Sequence, residues 1–142
     1  MEQDDKNKNK NNTKNILLDS YIVLDIIGSG SFGEVYIAKR KLTNTKVAMK
    51  IEARRKSDSR IEHEYKIYKK LAKLGIVDIV PKIYDFIQTP TYNIMCMELL
   101  GPCLDDLFIR QNKKFSINTV LKIGINILSI IKTVHNSRFI HR

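Results

Sequence analysis

GSGSFGEV, residues 28–35, decides how this chain is read. The spacing is G-x-G-x-x-G-x-V, with glycines at Gly28, Gly30 and Gly33. Glycine lets a backbone approach a phosphate closely and lets successive amide N–H groups point at it. The dinucleotide-binding version of this spacing closes a strand and opens a helix. Here the flanking residues point elsewhere. YIVLDIIG, 21–28, reads as a strand that ends on Gly28. EVYIAKR, 34–40, alternates, with Val35, Ile37 and Lys39 on one face. Strands on both sides make the glycine stretch the tip of a hairpin. It is either a flap over phosphates or a plain Gly/Ser turn.

Further along, NTKVAMKIEA, 44–53, follows a turn signal at Thr43–Asn44. Three strands with short connections predict an antiparallel meander. A helix is expected from Arg60 to Leu74, stopped by Gly75. KIYDFIQ, 82–88, and TYNIMCMEL, 91–99, are two more strands. After Gly101–Pro102 come a short helix, Leu104 to Arg110, and a long one, Ile117 to Asn136, with Ser116 as its N-cap. The expected class is α+β: five strands, the first three an antiparallel meander, with one helix among them and two further helices after.

Lys50 closes the apolar run VAMK, 47–50, and an ammonium there needs a partner. The next helix offers Glu62 and Glu64. At 100° per residue from Ile61, the side chains of Tyr65, Ile67, Tyr68, Leu71, Ala72 and Leu74 fall in an arc from about 220° to about 40°. Glu64 falls near 300°, inside that stripe, and Glu62 near 100°, among Lys66, Lys69 and Lys73. Glu64 is therefore the carboxylate expected to face the sheet, and Glu62 a surface partner for lysines.

The net charge is +10 over 142 residues. Between Tyr36 and Lys73, thirteen Lys/Arg face only Glu52, Asp58, Glu62 and Glu64, a net +9. A solvated basic face is the reading preferred, because no aromatic residues interleave as a nucleic-acid stacking platform requires. No run of 18 apolar residues occurs, so no membrane span is expected. The polar first residues carry no secretory pattern, and the two cysteines, Cys96 and Cys103, form neither a metal-ligand spacing nor a disulfide framework. A cytoplasmic or nuclear location is the expectation. His63, His135 and His141 form no metal or triad pattern, and no metal ligands are assigned.

Taken together, IGSGSFGEVY, VAMKIE, EYKIYKKL, YNIMCMELLGPCLDDLF and FIHR resemble a casein kinase 1-type serine/threonine protein kinase. MELLGP followed by LDDLF is the part most specific to that group. The resemblance runs from about Ser20 to Arg142. The Asn/Lys-rich composition of the first residues reads as a disordered tail over 1–19, while the resemblance implies an ATP-binding small lobe over 20–98, built as a five-stranded antiparallel sheet plus one helix, and the hinge with the first two helices of an incomplete large lobe over 99–142. It implies ATP as cofactor, with magnesium only through the nucleotide, and a protein substrate for the full kinase. Lys50 would contact the α- and β-phosphates and pair with Glu64. Gly28, Ser29, Gly30, Ser31, Phe32 and Gly33 would form the flap. Ile27, Val35 and Ala48 would roof the adenine. Met97 would be the gatekeeper, and the Glu98 carbonyl and Leu100 amide would bond the adenine edge.

Asp106 is left between two readings: a contact to ribose or peptide, and charge compensation at a helix N-terminus. Cys103 stands where the family commonly has serine. It is expected at the rim of the nucleotide pocket, as an inert thiol or as one that ATP shields from alkylation. Cys96 and His135 are read as structural. In the family, FIHR is followed by the aspartate that accepts the substrate proton, and later by the magnesium ligands. Residues 1–142 are therefore expected to be inactive alone. Ile117, Val120, Leu121, Ile123, Ile125, Ile127, Leu128, Ile130, Ile131 and Val134 cover more than half of the last helix, a face over 117–134 that would invite a partner. The alternative to a portion of an enzyme is a non-catalytic nucleotide- or partner-binding module.

Overall fold

The computed structural model describes residues 18–30, 33–54 and 59–141. The tail expected over 1–19 lies outside them except for Leu18 and Asp19, as do Ser31, Phe32 and Arg142.

Among the described residues five strands form one antiparallel sheet: β1 (Tyr21–Gly30), β2 (Gly33–Arg40), β3 (Lys46–Ala53), β4 (Ile83–Gln88) and β5 (Tyr92–Glu98), in the order β1-β2-β3-β5-β4. The β2–β3 turn places Asn44 at φ 56°, a left-handed position that Asn tolerates well. Among the described residues three helices accompany the sheet: α1 (Arg60–Lys73), α2 (Leu104–Arg110) and α3 (Ile117–Asn136). Every expected element is present, with ends within about two residues of those read from the sequence.

The chain divides into two compact units, residues 1–67 with 81–99, and residues 68–80 with 100–142. In the first, the register sorts side chains onto two faces, because cross-strand partners share a side of the sheet. Tyr36, Met49 and Cys96 line up across β2, β3 and β5, as do Ala38 with Val47 and Ile51 with Ile94. With Leu18 and Tyr21 they make the main core. Met49, Val47, Ile94 and Cys96 are fully buried. At its edge the Tyr21 hydroxyl donates to Asp85 Oδ2. Burial first, then that hydrogen bond, pushes the Tyr21 phenol well above its ordinary range. Burial also pushes the Cys96 thiol up, to about 12.

The opposite face carries the row Gly28, Val35, Lys50, Met95 and Phe86 across all five strands. Tyr65 of α1 stacks on Phe86, ring centroids 4.6 Å apart and planes 12° apart. That contact brings the first turns of α1 against this face.

In the second unit, α1 ends in paired reverse bonds: Gly75 N–H to the Ala72 carbonyl and Ile76 N–H to the Leu71 carbonyl, both 3.0 Å. Gly75 takes φ 76°, the left-handed conformation such an ending requires. Leu71 is buried, but Ala72 and Leu74 are exposed, so the apolar stripe closes earlier than its periodicity suggests. Leu74 is already leaving the helix as that ending forms. Ser116 caps α3 as expected, accepting the Thr119 N–H at 3.2 Å. Phe108 and Phe115 pack edge to face at 5.2 Å between α2 and α3. No residue of α3 is buried among the described residues. By length and composition alone this helix could cross a membrane, although no continuous apolar run marks it in the sequence. Lys122 and Asn126 interrupt it.

Candidate functional site

The site begins on β3. Ala48, Lys50 and Glu52 alternate onto the face that meets α1, while Val47, Met49 and Ile51 go to the core. The Lys50 Nζ lies 2.5 Å from Glu64 Oε2, and both side chains are about a quarter to a third exposed. Of the two glutamates the sequence offered, Glu64 is the one that meets β3. Glu62 pairs with Lys66 one turn along, at 2.7 Å, on the outer surface of the helix. The wheel separated them because the strand-facing arc of α1 holds one carboxylate among apolar side chains.

β1 and β2 place the glycines beside this pair. Gly28 is level with Val35, and Val35 with Lys50. The three glycines are not equivalent. Gly33 has φ 111°, and a Cβ on it would stand 2.1 Å from the Ile51 carbonyl oxygen. The hairpin closes against β3 only because that position has no side chain. A Cβ on Gly28 would meet Val35 at an ordinary 3.8 Å, and one on Gly30 would meet nothing within 4 Å. Those two glycines have no packing reason to be glycine among the described residues, which suits a stretch that a ligand must approach closely.

A model of the protein kinase domain matches residues 21–142. The chain belongs to the protein kinase domain family. Its five-stranded sheet with α1 is the kinase small lobe, and α2 and α3 are early helices of the large lobe. Protein kinases bind ATP with magnesium and phosphorylate proteins.

The remaining expected site residues of this kinase small lobe fall as follows. Ala48 is level with Ile37 on one side and Met97 on the other, so Val35, Ala48, Lys50 and Met97 share a face. Ile27 on β1 is half-exposed. Glu98 ends β5, where its N–H donates to the Lys82 carbonyl at 2.8 Å and its carboxylate accepts the Lys82 N–H at 3.2 Å. Ser29 lies on β1, level with Glu34.

Leu100 and Asp106 belong to the second unit. Leu100 is exposed. Asp106 closes a capping box on α2: its carboxylate accepts the Cys103 N–H at 3.3 Å, and its own N–H donates to Cys103 Sγ at 3.4 Å. These contacts place Asp106 in the first turn of α2. Cys103 is exposed and serves as that N-cap. His135 Nε2 accepts the His141 N–H at 3.3 Å, tying the start of the His-Arg motif to α3. Among the described residues no cluster of His, Cys, Asp or Glu could hold a metal ion.

One participant was not identified from the sequence. Glu52 accepts from the Ser59 hydroxyl at 2.5 Å, from the Arg60 N–H at 3.2 Å and from the Ile61 N–H at 3.5 Å. Its signal was its position two residues after Lys50, which puts both on one side of β3.

Proposed function

We propose that this chain carries the small lobe and the first large-lobe helices of a casein kinase 1-like serine/threonine protein kinase. It binds ATP between the glycine-rich hairpin, Lys50 and the hinge, for transfer of the γ-phosphoryl group to a protein hydroxyl. The observation that carries the reading is the Lys50–Glu64 pair at 2.5 Å on the face shared with Gly28 and Val35. An ammonium held by a carboxylate is aimed, which is what contacting two phosphates requires. Gly28 and Gly30 leave room for the phosphates. Ile27, Val35 and Ala48 supply apolar surface for the base. Met97 stands as gatekeeper, with the Glu98 carbonyl bonding the adenine edge. The narrower assignment to the casein kinase 1 group rests on MELLGP and LDDLF at 97–102 and 104–108.

Bound ATP supplies the phosphoryl group and brings magnesium with it. The aspartate that receives the substrate proton follows the His-Arg pair in the family.

Calorimetric titration with ATP and with adenosine tests the binding half. Lys50→Ala is expected to weaken ATP about tenfold or more, in the range of a lost charge-assisted contact, and to leave adenosine unchanged. Equal loss for both ligands, or ATP binding indifferent to Lys50, would refute the phosphate contact. A phosphate-transfer assay with radiolabelled ATP tests the other half, on a chain that includes the catalytic aspartate: transfer to protein that Lys50→Ala leaves unchanged would refute the reading.

A further inference from the structure

Helix α1 starts with N–H groups that no preceding turn can satisfy. Two side chains take them. Ser59 Oγ accepts the Glu62 N–H at 3.1 Å, a local cap. Glu52 reaches across from β3 to accept the Arg60 and Ile61 N–H groups and the Ser59 hydroxyl. A serine alone would cap the helix. What Glu52 adds is a tie between the helix start and the strand that carries Lys50.

We propose that Glu52 is a positioning residue, which fixes α1 along β3 in the register that brings Glu64 to Lys50. Lys50 and Glu52 point to the same side of β3, about 6.8 Å apart along the strand. Ile61 and Glu64 are about 4.5 Å apart along the helix axis. The two spacings are close enough for strand and helix to be joined at two successive points: carboxylate to helix N-terminus, then ammonium to helix carboxylate. Each joint limits the sliding and tilting that would open the other. The helix dipole favours the arrangement, since it places a carboxylate at its positive end. The consequence for nucleotide binding rests on the reading of Lys50 and Glu64 given above. The geometric claim does not.

Zero-length carbodiimide coupling measures the joint without nucleotide, since it links an amine to a carboxylate only where the two touch. Peptide mass spectrometry then gives the yield at Lys50–Glu64, with Glu62–Lys66 as a control inside the helix. In Glu52→Gln the Lys50–Glu64 yield is expected to fall about fivefold, the scale of a lost helix cap, with the control unchanged. The preference for ATP over adenosine should fall by the same factor. If the control also collapses, the helix itself has been lost. Glu52→Asp, which keeps the charge but shortens the reach to the helix, then provides the reading, with an expected drop of about twofold. An unchanged Lys50–Glu64 yield with the control intact, in Glu52→Gln or in its stand-in Glu52→Asp, overturns the assignment. A reduced yield in a chain whose wild type does not prefer ATP supports the positioning role and refutes the nucleotide reading instead.

Discussion

The sheet unit and the long helix α3 are both rich in apolar residues, yet they use that apolarity in opposite ways. In the sheet, Val47, Met49, Ile94, Met95 and Cys96 are fully buried, and Ile61 of α1 joins them. On α3, Ile117, Val120, Leu121, Ile125 and Leu128 are all more than half exposed. Strand registry closes a core from short-range pairings, whereas a helix with apolar side chains around much of its girth needs neighbours on several sides. Stability should therefore reside in the first region and stickiness in the second.

The sharpest way to break that contrast is a pair of truncations. Met49→Ala empties space in the closed core and is expected to cost about 2–5 kcal/mol in urea denaturation. Leu128→Ala removes a side chain that is 69% exposed and should stay within about 0.5 kcal/mol. It should also reduce self-association in sedimentation measurements. Comparable costs at the two positions would mean that α3 is as well packed as the sheet.

The glycines sharpen the comparison within the sheet itself. Gly33→Ala forces a Cβ onto the Ile51 carbonyl and keeps a strained φ, for an expected loss of about 2–4 kcal/mol. Gly30→Ala meets open space and should change stability by no more than about 0.5 kcal/mol, while weakening ATP. Unfolding midpoints beside ATP titrations separate the two effects. Equal destabilisation would show that the hairpin tip is held by packing throughout.

A smaller effect follows from buried titratable groups. Burial raises the Cys96 thiol from its ordinary 9.0 to about 12. The folded chain thus keeps a proton that the unfolded chain releases. Stability should be independent of this group below about pH 9 and should fall by about 1.4 kcal/mol per pH unit from there toward pH 12. Tyr21, raised in the same direction, adds to the fall only above about pH 10. In Cys96→Ala the decline should begin near the tyrosine range instead of near pH 9. Denaturation midpoints taken across alkaline pH test this, and an identical profile in the variant would place the thiol in contact with water.

The sequence made the strands and helices legible because turn residues, alternation and helical period agreed at each step. Asn44 and Gly75 mark their turns, and Ser116 marks its cap. It also made the Lys50–Glu64 pairing legible, since a 100° step separates Glu64 from Glu62 without knowledge of the fold. Other features were hidden because they depend on atoms brought together only by folding. Glu52 counted merely as one acid within a basic block until the strand carried it to the start of α1. Gly28, Gly30 and Gly33 look alike in the motif, and only the closeness of the Ile51 carbonyl singles out the third. Asp106 and Cys103 cap one another through a local geometry that the sequence left open between two uses.

The central claim is that Lys50 and Glu64 act as one unit on phosphate. A double-mutant cycle of Lys50→Ala and Glu64→Ala, read as ATP affinity by calorimetry, tests it most directly. If Glu64 works by holding Lys50, each single variant should lose about tenfold, and the double variant no more than the worse single. Losses that multiply to about a hundredfold would show two independent contributions and contradict the account.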